Sequence, residues 1–482
     1  MIVALGVGLP SEASAQSSGF NGTQATTYTL TTGANTPTFT FGPAAVIGPT
    51  VAGTNGVNGD TLTNWNVINQ GQISGSGGGF TGGGIYLNTP GGNSVTNSGS
   101  ITNGVYLTGS GNSSLANLAG GTITGNAQVS GTMTNAGTIT GIAGSTSLGS
   151  LTLTNSGSIG GEVFIGTGTV TNQAGGTLTG GVVFSLQQFA DPGTLTNAGT
   201  IGSGGPRNSA VTFYGVGTLT NLGGGTLTGV TDGVFLEQGG TVTNQAGGIL
   251  TGGTYGVFSL GEPATVTNAG AIASTAGNGI FLLAGGSVAN RAGASITGGV
   301  NGVYMNPGSG NSSVTNQAGG AIVGGVNGVK ISAGVGTVTN AGSITGTSGT
   351  GVSVSGAIVN VTNLAGATIT GTIGLSIYQP INATVTNAGT ITGTGGTAIN
   401  LNANNDTLIL QTGSVINGDV NTNIVDSTLM VSGVPIAADT AVVEAGLDWR
   451  ITAQMKLGIG YQGELATTAH TNMAKGNFTW NF

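Results

Sequence analysis

The sequence predicts an all-β chain: a parallel, right-handed β-helix of about fourteen turns, then a short antiparallel meander. Three observations carry the prediction. The words VTNAGTITG and VTNQAGGTLTG recur along most of the chain, and their Asn can be followed from Asn69 to Asn387 at a mean spacing of about 23 residues. Each repeat holds three short β words closed by Gly or Asn. Composition removes the competing classes. Glycine is 99 of 482 residues, but proline is only 11 and no Gly-X-Y triplet runs, which excludes collagen. Charged residues are 4%, and mean hydropathy is +0.27, which excludes a charge-expanded disordered chain.

The N-terminus reads as an export signal. Residues 1–9 (MIVALGVGL) are short and apolar, and Ala13-Ser14-Ala15 follows as a small-residue cleavage site, so 1–15 is taken as the back half of a secretory signal peptide. The competing reading is a buried first strand. No apolar run reaches the ~18 residues that a transmembrane helix needs. Residues 16–60 match the repeat poorly. They are expected to cap the first turn, which would otherwise present a bare strand edge.

Residues 61–433 are the array. In the sample turn Asn316–Asn340, Val314-Thr315-Asn316 is followed by Gln-Ala-Gly-Gly, by Ile322, by Gly328-Val329-Lys330-Ile331, and by Val338-Thr339-Asn340. Period-2 alternation directs Val329 and Ile331 to one face and Lys330 to the other, so Val314, Ile322, Val329 and Ile331 share an interior. The Asn is assigned to a turn, since Asn tolerates the left-handed conformation and bonds its own backbone. Longer AGG or AGA corners suggest a bulge, and turns between Asn117 and Asn172 are shorter, which predicts a thinner rod there. Successive turns stack at ~4.8 Å, and no single turn can fold alone.

Residues 434–482 change character. In TAVVEAGLDWRI, Ala441, Val443, Ala445, Leu447, Trp449 and Ile451 alternate with polar or small residues. A short turn at Thr452-Ala453-Gln454 leads to Met455, Leu457, Ile459 and Tyr461, and a longer loop, ATTAHTN, leads to Gly476, Phe478, Trp480 and Phe482. Roughly ten-residue strands, apolar on one face, with alternating short and long connections, are the pattern of a transmembrane β-barrel. The bland alternative is a soluble meander.

The segment VVEAGLDWRITAQMKLGIGYQGELATTAHTNMAKGNFTWNF resembles the end of the β-domain of classical (type V) autotransporters of Gram-negative bacteria. The VTNAGTITG array resembles their β-helical passengers, and NNDTLILQTGSVINGDV looks like their last passenger turns. The resemblance implies secretion across the inner membrane, handling of the C-terminal strands by the barrel-assembly machinery of the outer membrane, and display at the cell surface. It implies that Phe478, Trp480 and Phe482 form the outer-membrane assembly signal. The departure is size: such a barrel has about twelve strands, whereas this segment has sequence for about three, and an open sheet would leave unpaired backbone in lipid.

Chemistry is sparse. Net charge is −8 and the first basic residue is Arg207, so the chain has no basic stripe for nucleic acid. Cysteine is absent and His470 is the single histidine, so no Cys/His metal site is expected, nor any cofactor. GxSxG, P-loop and HExxH words are missing too. Asn404–Leu408 only faintly matches a calcium-binding nonapeptide, without its glycines. Carboxylates offer an enzymatic alternative. Glu237 and Glu262 fall on neighbouring turns, near the roughly 5 Å separation of a retaining glycosidase, and Asp191 holds a similar place. Lone surface acids are the plainer account.

Two outward rows are candidates for contact. Phe235, Phe258, Phe281 and Tyr304 occupy one outward-facing place on four consecutive turns, with Lys330 next and Tyr86 and Tyr106 in similar places earlier. They could serve sugar rings or a partner protein, or they stack on one another or lie under a loop and stabilise the rod. A Thr-x-Thr column runs through Thr138/Thr140, Thr177/Thr179, Thr226/Thr228, Thr368/Thr370 and Thr390/Thr392. It could face ice, but Ala271 and Ala321 break it. The expected role is a non-enzymatic surface scaffold or adhesin with a host or cell-surface glycan or protein as partner. The alternative is a polysaccharide-active β-helix.

Overall fold

A computed structural model describes residues 16–482 except 78, 80, 110, 146–148, 185–191, 205–207, 357, 379–381, 403–405, 423–429, 434–439, 453, 467–469 and 481–482. The signal-peptide reading, on 1–15, lies outside the described residues. Among the described residues the chain is all β, without helix, and it forms a parallel β-solenoid of about 16 turns. Its strands join into one 50-stranded hydrogen-bonded sheet wound around the core, and a separate three-stranded sheet follows.

The extra turns come largely from the N-terminal stretch expected as a cap. Ser17–Phe20 pairs in parallel with Asn35–Phe41, which pairs with Asn66–Asn69, so these residues enter the same ladder as the repeats. Their interior is aromatic. Phe39 and Phe41 are buried, and Phe20 and Tyr28 pack against them with ring centroids 5.2–6.4 Å apart. Trp65 closes the next turn and donates its indole N–H to the Asp60 carbonyl at 3.2 Å.

Each regular coil carries three strands. The first ends in Asn, as in Gly240–Asn244; the second is the Thr-Leu-Thr-Gly type, as in Ile249–Gly252; the third is the Gly-Val-aromatic type, as in Tyr255–Ser259. Alternation is strict. Val242, Leu250 and Val257 point inward and are fully buried, as are Val314, Ile322, Val329 and Ile331 in the sample turn. The coils between Asn117 and Asn172 are tighter. Their second strands shrink to Thr138–Ile139 and Ser158–Ile159, and Ala127 and Ala143 fill the third-strand core place that Val105 and Val163 fill in neighbouring coils.

The repeating Asn has a different role from the one expected. Among the described residues only Asn103 and Asn208 are non-glycine residues with positive φ, so none of the repeat asparagines sits in a left-handed turn. Each is instead buried inside the first corner. Its Nδ2 donates to Oδ1 of the Asn one coil on, at 2.8–2.9 Å, without a break from Asn69 to Asn387. The last link ends on Ser414 Oγ at 2.6 Å. The sequence distance between linked residues varies from 17 to 28, yet the spatial link does not change.

The same amide also serves two corner lengths. In the short corner Asn268 donates to Gly270 O, two residues on; in the long corner Asn244 donates to Gly248 O, four residues on. The long corner therefore carries two extra residues, since Asn316↔Asn340 and Ala321↔Ser343 are both in register. The long corner needs a left-handed residue, and Gly319, at φ 74°, supplies it without a Cβ to clash.

The three-stranded sheet is antiparallel and composed of long strands: Thr440–Thr452, Met455–Ala466 and His470–Trp480. Its register lines up Trp449, Leu457 and Phe478 across the sheet, and Leu447 with Ile459 beside them. The apolar positions read from the sequence are therefore paired with one another from strand to strand.

Candidate functional site

The aromatic row is in register as expected: Phe235, Phe258, Phe281, Tyr304 and Lys330 are successive ladder partners. Its exposure differs from the expectation. Phe235 is fully buried and Phe258 is 9% exposed, whereas Phe281 and Tyr304 are half-buried. Tyr214 lies edge-on to Phe235 at 6.5 Å, and Tyr255 flanks both Phe258 and Phe281 at 4.9 and 5.5 Å. Of the two earlier tyrosines, Tyr106 is buried as well.

The rings stack along the rod. Phe258 and Phe281 lie 5.3 Å apart at 5°, and Phe281 and Tyr304 lie 4.9 Å apart at 4°. The Lys330 ammonium caps the Tyr304 ring at 5.1 Å. Ring faces are thus used by neighbouring rings and by a cation, and ring edges are what this side presents outward. A sugar that stacks on a ring face would have to displace one of these contacts.

The carboxylate pair is offset. Leu236 is in register with Ser259, and Gly261 N–H donates to the Glu237 carbonyl at 2.8 Å, so Glu237 is level with Leu260 and Glu262 falls two residues further along its coil. Glu237 is half-buried and Glu262 is exposed. Asp191 lies outside the described residues. Glu162 stands between the second and third strands of its coil, and burial pushes its carboxyl above the ordinary value. Two surface depressions have no carboxylate in their lining among the described residues. One, of about 330 Å³, is lined by Thr61, Asn88, Thr89 and Pro90. The other, of about 340 Å³, lies where the short corners at Ala136-Gly137 and Gly157 sit between the long corners at Gly120-Gly121 and Gly175. Among the described residues no three of His, Cys, Asp and Glu gather as metal ligands.

The second-strand Thr column breaks as expected, with Ile249, Ala271 and Ala321 among its ladder positions. The first strand carries a better one that the sequence reading missed. With both Val and Asn of Thr-Val-Thr-Asn inside, both threonines face outward. Consecutive coils bear Thr132/Thr134, Thr152/Thr154, Thr169/Thr171, Thr194/Thr196, Thr218/Thr220, Thr241/Thr243 and Thr265/Thr267, all in register. Assigning Asn to a turn had hidden this alternation.

The C-terminal signal residues Phe478 and Trp480 belong to the last strand of the antiparallel sheet, while Phe482 lies outside the described residues. His470, expected in the loop, opens that strand opposite Leu465. No helix among the described residues is long and apolar enough to cross a membrane, which bears on helices alone and not on strands. No protein-family model, no curated protein and no solved structure matches the chain.

Proposed function

We propose that this chain is a passenger-type surface scaffold or adhesin of the autotransporter kind, secreted across the inner membrane and held at the outer membrane by its C-terminal strands. The observation that carries the reading is the change of strand type. A parallel solenoid of short strands gives way to antiparallel strands of 13, 12 and 11 residues, long enough to cross a bilayer at a tilt. Three strands leave open edges, so anchoring requires further strands from other copies or from a separate barrel. Phe478, Trp480 and Phe482 are then the residues offered to the assembly machinery. The rod is the presented part, and the stretch from Phe258 to Lys330 is its contact side, offering ring edges, the Tyr304 hydroxyl and one cation to a glycan or protein.

Protease shaving of intact bacteria expressing the chain, with outer-membrane fractionation, tests this. Cleavage of the repeat region on whole cells is expected. Protection until the outer membrane is broken would overturn surface display and leave a periplasmic rod.

A further inference from the structure

The first-strand face bears a two-dimensional hydroxyl lattice, and its geometry selects a class of ligand. From Thr132/Thr134 to Thr265/Thr267 the two outward positions before the ladder Asn are threonine in every coil, and the pairing holds residue for residue from coil to coil. Hydroxyls therefore repeat at ~4.8 Å along the rod and about 6.7 Å along the strand. All of these threonines are exposed or half-exposed. Among the described residues one side-chain hydrogen bond touches the array, from Ser287 Oγ to Thr265 Oγ1 at 3.3 Å, so the other hydroxyls have their donor and acceptor capacity left for what lies outside.

The array is also stiff. Each strand is pinned from beneath by a buried valine, leucine or methionine and by the Asn ladder. Threonine is β-branched and restricted at χ1, so little side-chain entropy remains to be lost on binding. No charged residue interrupts the face, which disfavours ionic polymers. The row is a strand face rather than a concave pocket, and none of its outward residues is aromatic, which disfavours a single soluble sugar. What remains is a solid with its own repeat.

We propose that this threonine face binds ice. Its two spacings lie near the two oxygen repeats of the prism face of hexagonal ice. A hydroxyl that both donates and accepts can continue a lattice in which every oxygen does both, and the adjacent methyl groups suit the ordered water between rows. The proposal is independent of the surface-display reading and asks nothing of the C-terminal strands.

The test is partition of the detergent-solubilised full chain into a slowly growing ice sphere, with ice-crystal shape followed by microscopy. The unmodified chain and Thr228→Lys, which changes the second strand of the same coil as Thr218, are expected to enter the ice and to facet crystals. Thr194→Lys/Thr218→Lys is expected to stay in the liquid as an inert protein does. If that double variant loses its far-UV β signal, Thr194→Val/Thr218→Val, which keeps the branch and removes the hydroxyls, is read instead, with reduced entry expected. Exclusion of the unmodified chain from ice would overturn the proposal, as would undiminished entry of the folded face variant. Retention on crystalline cellulose or chitin together with exclusion from ice would also overturn it, in favour of a solid polymer.

Discussion

Two columns of stacked side chains run along this rod, one inside and one outside, and they differ in what they tolerate. The inner Asn ladder is unbroken from Asn69 to Asn387, although coil length between its members varies from 17 to 28 residues. The outer aromatic row spans four coils, from Phe235 to Tyr304, and ends on Lys330. A buried amide that loses its partner loses water as well, so each inner position constrains the next. A half-buried ring such as Phe281 or Tyr304 that loses its neighbour meets solvent, so the row can end freely on that side. Register in this protein is held from within, and variation is allowed outside.

The strongest way to break that contrast is Asn244→Ala. It removes the ladder links to Asn221 and Asn268 together with the amide's bonds to the Gly248 and Ala271 carbonyls inside the corner, and a loss of roughly 2–6 kcal/mol is expected, read as a lowered urea midpoint. The outer counterpart, Phe281→Ala, removes contacts with Phe258, Tyr304 and Tyr255 from a half-buried site, and about 1–3 kcal/mol is expected. If the outer change proved the costlier, the division of labour argued above would be wrong.

Smaller changes sharpen it. Gly319→Ala forces a side chain into the left-handed place of a long corner. It meets no steric obstruction closer than Gly293 N at 3.6 Å, so strain alone should cost about 1–2 kcal/mol in the same assay. Lys330→Ala removes the cap on Tyr304 and is expected to cost no more than about 1 kcal/mol, with a weak salt dependence.

Glu162→Gln should act in the opposite direction. A carboxyl whose folded pKa lies above its unfolded value holds its proton better in the fold, so its contribution is full at acid pH and is lost as pH rises through the folded value. Gln is thus expected to raise the thermal midpoint slightly at neutral pH and to leave it unchanged in acid. An equal change at both pH values would mean that charge is not the cause.

The sequence made the coil legible because its signal is periodic. Val314, Ile322, Val329 and Ile331 were placed inside by alternation alone, and they are. The ladder of Phe258, Phe281 and Tyr304 was likewise visible as a recurring word. What escaped was orientation at the Asn. Local turn chemistry and burial in a stack predict the same residue, and only the three-dimensional register separates them. The same ambiguity concealed the outward threonines of the first strand. Exposure of Phe235 was misjudged because its cover, in part Tyr214, comes from the preceding coil, which a one-coil reading does not include. Residues 17–59 escaped because aromatic rings join the aliphatic residues in their core, so the word changed while the winding did not.

The Asn ladder has an electrical consequence. Every side-chain amide donates forward, toward the C-terminus, and none donates back. Small dipoles joined head to tail polarise one another, so each link is strengthened by those on either side. The middle of such a wire is its strongest part and its two ends the weakest. Opening should therefore begin at the termini of the rod, and backbone amides near Asn221 should be the last to exchange with solvent.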